Sequence, residues 1–166
     1  MRHALTISAL AGLIGPAFAG VIVLDDFASD PNTGLAGPRS VSSVMIANPF
    51  NQPATFEVDT AFSYNGNVGA AIFNSGIGAS QQGRITWNND GVGLDLDLVA
   101  MHGIGFQLDF LMVDLDFRVD MVLRTNDGGS AEHTQIISAG GAQTYTFDLA
   151  DFTTNAGFDP ADVDGI

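Results

Sequence analysis

Cysteine and lysine are absent from the chain, tryptophan occurs once, and the five basic residues, all arginine, face 19 acidic ones. Without cysteine there is no disulfide frame, no thiolate metal site and no cysteine nucleophile. A formal charge of −14 with so few basic groups excludes nucleic acid as a partner, because bound phosphates must be neutralised by basic side chains. Anionic membrane surfaces are disfavoured for the same reason. Histidine is scarce as well: past the first residues, His102 and His133 stand alone, without the close spacing of a zinc site. No serine sits in a Gly-x-Ser-x-Gly elbow, and Gly76-Ile77-Gly78 lacks the strand-to-helix context of a phosphate loop.

Long apolar runs are also missing, with one short exception at the start. Arg2 precedes an apolar stretch from Ala4 to Ile14, followed by a helix-breaking Gly15-Pro16 and then Ala17-Phe18-Ala19. This is the order of a secretory signal peptide, with small residues where the peptidase must close on the chain, and it predicts cleavage after Ala19. The stretch from 4 to 14 is too short for a membrane span, which needs about 20 apolar residues. Residues 1–19 are therefore expected to be an export signal, and 20–166 one unanchored domain large enough to bury its own core.

What remains is rich in turn and strand formers, with 20 Gly and 12 Phe. Val21 to Phe27 opens as a strand, and the Pro-rich stretch 28–53 reads mostly as loop, with Val41 to Ile46 pairing briefly. Phe56, Val58, Thr60 and Phe62 alternate with polar residues, the period of a half-buried strand, and Asn65-Gly66 predicts a hairpin turn back through Val68 to Phe73. Short strands are expected at 84–87 and 94–98. From 104 to 124 the apolar residues occupy even positions up to Phe110 and odd ones from Leu111. A one-residue slip inverts every side chain, so this phase switch predicts a bulge or two strands turning near Asp114-Leu115-Asp116. Further strands are expected at 134–138 and 143–149 after the Asn126-Asp127-Gly128-Gly129 turn. The expected fold is all-β, a two-sheet antiparallel sandwich of the jelly-roll kind, with a barrel as the alternative.

Aspartate is the one residue type abundant enough to build a site. Asp25 and Asp26 end the first strand with Asp30 close by, and Asp162 and Asp164 lie at the other end of the sequence. Should the terminal strands of a sandwich pair, these five acids meet and supply oxygens to a structural Ca²⁺, which takes about six to eight. The alternative is that they are solvated loop acids. Asp162-Val163-Asp164-Gly165 is not an EF-hand loop, because the terminal bidentate Glu is missing. Asp95 with Asp97, and Asp114 with Asp116, have the two-residue spacing that puts carboxylates about 6.5 Å apart along a strand, within reach of acidic-pair glycoside hydrolysis. Tyr64 and Trp87, with Tyr145, are candidates for stacking on a sugar ring, although Trp87, following Ile85 and Thr86 on a strand, also suits a core.

The opening Leu24-Asp25-Asp26-Phe27, the stretch Gly105-Phe106-Gln107-Leu108-Asp109 leading to Val113-Asp114-Leu115, the Tyr145-Thr146-Phe147-Asp148-Leu149 strand and the closing Asp162-Val163-Asp164-Gly165-Ile166 resemble exported Gram-negative β-sandwich proteins that carry a PEP-CTERM sorting signal. The resemblance implies a carbohydrate-binding-like, non-catalytic domain and transfers no site residues. The sorting tail itself is absent, and the last strand reads as cut short at Ile166. Together these features lead us to expect an exported surface or matrix protein in contact with polysaccharide, located in the periplasm, at the cell surface or outside. A secreted acidic-pair hydrolase and a purely structural envelope protein are the alternatives.

Overall fold

The computed structural model describes residues 3–11, 20–29, 35–64, 67–101 and 105–166; side chains are described from residue 24 onward within these, except at 64, 67 and 68. The strands are β1 (His3–Ala11), β2 (Gly20–Asp25), β3 (Arg39–Ala47), β4 (Ala54–Tyr64), β5 (Asn67–Ser75), β6 (Ser80–Trp87), β7 (Gly105–Met112), β8 (Phe117–Arg124), β9 (Ser130–Ile137), β10 (Gln143–Asp148) and β11 (Thr153–Thr154). Among the described residues the architecture is all-β and every strand pairing is antiparallel. No described helix is long and apolar enough to cross a membrane.

The strands form three hydrogen-bonded groups. One runs β10-β7-β1-β5-β4, with β2 also pairing β1; the others are β11-β9-β8 and the ribbon β3-β6. All three contribute to one core: Leu108, Phe110 and Phe147 from the first, Leu123, Ala131 and Ile137 from the second, and Trp87 from the ribbon. Alternation dictates which residues reach it, since a strand with one apolar face must cover that face with another sheet.

The phase switch seen in the sequence has a structural cause. On β7, Phe106, Leu108 and Phe110 enter the main core, whereas Leu111 turns to a second cluster with Ala70 and Ile72. Opposite β1 the register jumps from Phe110 to Met112, so Leu111 is the extra residue of a bulge. After the turn at 113–116, Met121 and Leu123 of β8 re-enter the main core. Thus the two expected alternatives, a bulge and a new strand, occur one after the other.

Three regions differ from the sequence reading. The stretch 28–53 contains a full strand, β3, because Arg39 to Met45 pairs residue for residue with β6 from Trp87 to Gln81. Residues 94–98 form no strand of their own; Leu96 bridges Val163. Residues 3–11, expected in a signal peptide, lie as β1 between β7 on one side and β5 and β2 on the other. The rest of that peptide's tail, 12–19, and the Asn65-Gly66 turn lie outside the described residues.

The last residues, 160–166, tie separate parts of the molecule together. Leu98 N–H donates to the Pro160 carbonyl, Leu96 and Val163 exchange both backbone bonds, Arg124 N–H donates to Gly165, and Trp87 and Ile166 exchange both of theirs at 3.0 Å. This closing segment therefore links β6, β8 and the 94–98 loop. Val163, fully buried, anchors it in the core.

Candidate functional site

Of the five acids expected to meet around a cation, the structure unites two and supplies a partner not foreseen. Asp162 and Asp164 are joined by Asp95, and one carboxylate oxygen from each lies within 4.8 Å of the others. The closing segment brings Asp162 and Asp164 there, while Asp95 is placed by its neighbours: Leu94 N–H donates to the Asp164 carbonyl and Leu96 N–H to that of Val163. Asp95 and Asp162 are exposed, but Asp164 is only 7% exposed. Both of its carboxylate oxygens are buried without a hydrogen-bond partner. Gly93, at φ +104, makes room for this group: a Cβ there would stand 2.6 Å from Asp164 Oδ1. The negative charge of Asp164, with burial and then Asp159, Asp95 and Asp127 adding, raises the Asp162 pKa above its ordinary value.

Asp25 and Asp26 are engaged elsewhere, which corrects their assignment as cation ligands. Asp25 is fully buried and accepts from Phe27 N–H at 2.8 Å, from Arg39 Nη1 at 3.1 Å and from the Trp87 indole N–H at 2.8 Å. With its lone pairs committed to this network, the carboxylate is not available to an ion. Asp26 accepts from Ala28 N–H at 2.9 Å in an exposed turn. Asp30 lies outside the described residues.

The aromatic platform is not assembled as expected. Trp87 is 5% exposed and packs against Phe27 with ring centres 6.5 Å apart, so it is a core residue. The side chain of Tyr64 lies outside the described residues. Tyr145 sets its ring edge-on to Phe110 and accepts from Ser138 N–H through its hydroxyl. The paired acids are likewise separated in role: Asp97 accepts from Ala100 N–H while Asp95 joins the acidic corner, and Asp116 accepts from Ala139 N–H.

A groove that the sequence did not announce runs along β9 and β11. It measures about 460 Å³ and is lined by Ser130, Glu132, His133, Thr134, Asp151, Thr153, Thr154 and Asn155, every one of them polar. Asn155 fixes one end, its side chain accepting from Ser130 N–H at 2.9 Å. The His133 ring meets Phe147 edge-on and tilts over Phe152, and its Nδ1 lies 3.2 Å from the Asp151 carbonyl oxygen. The pairing of Thr153 with Glu132 brings distant parts of the sequence side by side, and no local motif records that.

No family model, curated protein or solved structure matches the chain.

Proposed function

We propose that the protein is an exported, non-catalytic surface or matrix component that holds polysaccharide in the β9–β11 groove. The observation that carries the proposal is that every residue lining the groove presents a polar group beside apolar methyl, methylene or ring surface, the mixed face that a sugar ring fits. The groove's hydroxyl, amide and carboxyl groups are the donors and acceptors that sugar hydroxyls need, and its open form suits a chain passing through rather than a small molecule enclosed on all sides. Export rests on the order of residues 1–19, and the likeness to PEP-CTERM sorting proteins agrees with a place at the envelope or in the matrix. The outer end of the β3–β6 ribbon, with Val44, Ile46 and nearby Phe50 and Ile77 exposed, supports a role among other macromolecules, because exposed apolar groups of this kind mark contact surfaces.

A glycan array followed by polysaccharide pull-down tests the proposal. Retention is expected, and replacing Glu132 and Thr153 together by alanine should weaken it by roughly tenfold, the loss of one or two polar contacts at about 1 kcal/mol each. Absence of retention on every polysaccharide tried would leave only the structural role. Hydrolysis of a retained chain would instead favour the secreted acidic-pair hydrolase.

A further inference from the structure

We propose that Asp95, Asp162 and Asp164 form a binding site for one Ca²⁺ ion, independent of the polysaccharide groove. Two separate observations point to a ligand there. First, carboxylates from two distant parts of the chain converge within 4.8 Å, a span that matches opposite ligands on Ca²⁺ at about 2.3–2.6 Å each. Second, Asp164 is more than nine-tenths buried, and both of its oxygens lack any hydrogen-bond donor. A buried ionised carboxylate with no partner is costly, and native structures pair such groups with a donor, a cation or a metal. Gly93 keeps the space over Asp164 Oδ1 open, which is what a ligating carboxylate needs and what a side chain at position 93 would close.

The donor set selects the ion class. All three ligands are carboxylate oxygens, without the nitrogen or sulfur that zinc prefers. Mg²⁺ demands near-ideal octahedral geometry and gives up its waters reluctantly, whereas Ca²⁺ accepts irregular shells of carboxylates, carbonyls and waters. The exposed Asp95 and Asp162 leave the outer side of the ion to water, and the net charge of −14 draws cations to the surface. Bound there, the ion ties the 93–95 turn to the closing segment and offsets the mutual repulsion of the three acids.

The test is calorimetric titration of the chelator-treated full chain with CaCl₂, together with thermal melting, in buffer matched for ionic strength with NaCl. One equivalent should bind with an affinity in or above the range of about 10⁻⁴–10⁻³ M typical of extracellular modules, with a rise in the melting midpoint at saturating Ca²⁺. Asp95→Asn is the informative variant, because asparagine tolerates the left-handed backbone found at this position (φ 49) and the variant is expected to fold. It should lower the affinity roughly tenfold or more, since Ca²⁺ binding follows ligand charge. Asp164→Asn should abolish the Ca²⁺ response yet melt no lower than the chelated parent. Absence of binding at millimolar Ca²⁺, an unchanged response in Asp95→Asn, or an equal response to Mg²⁺ would each overturn the proposal.

Discussion

Asp25 shows how one residue changes meaning between sequence and structure. As part of an Asp-Asp pair at a strand end it reads as a metal ligand, yet its carboxylate is the hub of a buried network. Arg39, whose side chain is 1% exposed, sits at 3.1 Å, and its guanidinium also lies over the Phe27 ring, 5.2 Å from the centre. Arg39 Nη2 donates to the Ser29 carbonyl at 2.7 Å, and Trp87 closes the network from β6. Removing the carboxylate strands a buried guanidinium and an indole N–H. Asp25→Ala should therefore destabilise the fold by about 3–5 kcal/mol, whereas Asp26→Ala, exposed and bonded only within its own turn, should cost less than about 1 kcal/mol. Urea denaturation followed by the single tryptophan checks both, and near-equal losses would show that the network carries no special weight. The only sequence sign of it is an arginine among few basic residues, which says that a partner is needed but not which acid provides it.

At the scale of elements, the β8–β9 turn behaves as its sequence predicts, because everything it needs is local. Asn126-Asp127-Gly128-Gly129 places glycine at φ +89, and Thr125 N–H donates to the Gly129 carbonyl. The Asp127 carboxylate accepts from the Thr125 hydroxyl at 2.6 Å and from Gly129 N–H, which together hold its pKa below the ordinary value of 3.8. A carboxyl whose folded pKa is depressed adds stability that is fully present above its unfolded pKa and is lost as pH falls through the folded value. In chelator-containing buffer the denaturation midpoint should fall as pH drops from 5 through about 3, and Asp127→Asn, which does not titrate, should reduce that fall. Identical acid profiles for the two proteins would refute this role. By contrast, β3 hides inside a Pro-rich stretch, because pairing with β6 is worth more than local propensity, and 94–98 loses its strand character to the closing segment. Gly69 gives a third case: at φ +81, its missing Cβ would stand 2.3 Å from the Phe27 carbonyl, a close approach between β5 and the end of β2 that no turn motif signals.

For the molecule as a whole, the proposed export would have a structural consequence: cleavage after Ala19 would remove β1, which lies between β7 and β5, and the processed sheet would have to re-pair. Amino-terminal sequencing of protein recovered from the periplasm or medium should begin at Gly20; a start at Met1 in that fraction would dismiss the signal peptide. The sequence by itself determined the all-β class, most strand positions after residue 54, the phase change near Leu111 and the Asn126–Gly129 turn, because alternation and turn chemistry act over a few neighbouring residues. Only the tertiary structure decided which acids meet. It sent Asp25 into the core with Arg39, put Trp87 beside it, set Asp95 against Asp162 and Asp164, and paired Thr153 with Glu132 to form the groove. Those juxtapositions depend on how strands far apart in the chain register against one another, and no local pattern encodes that choice.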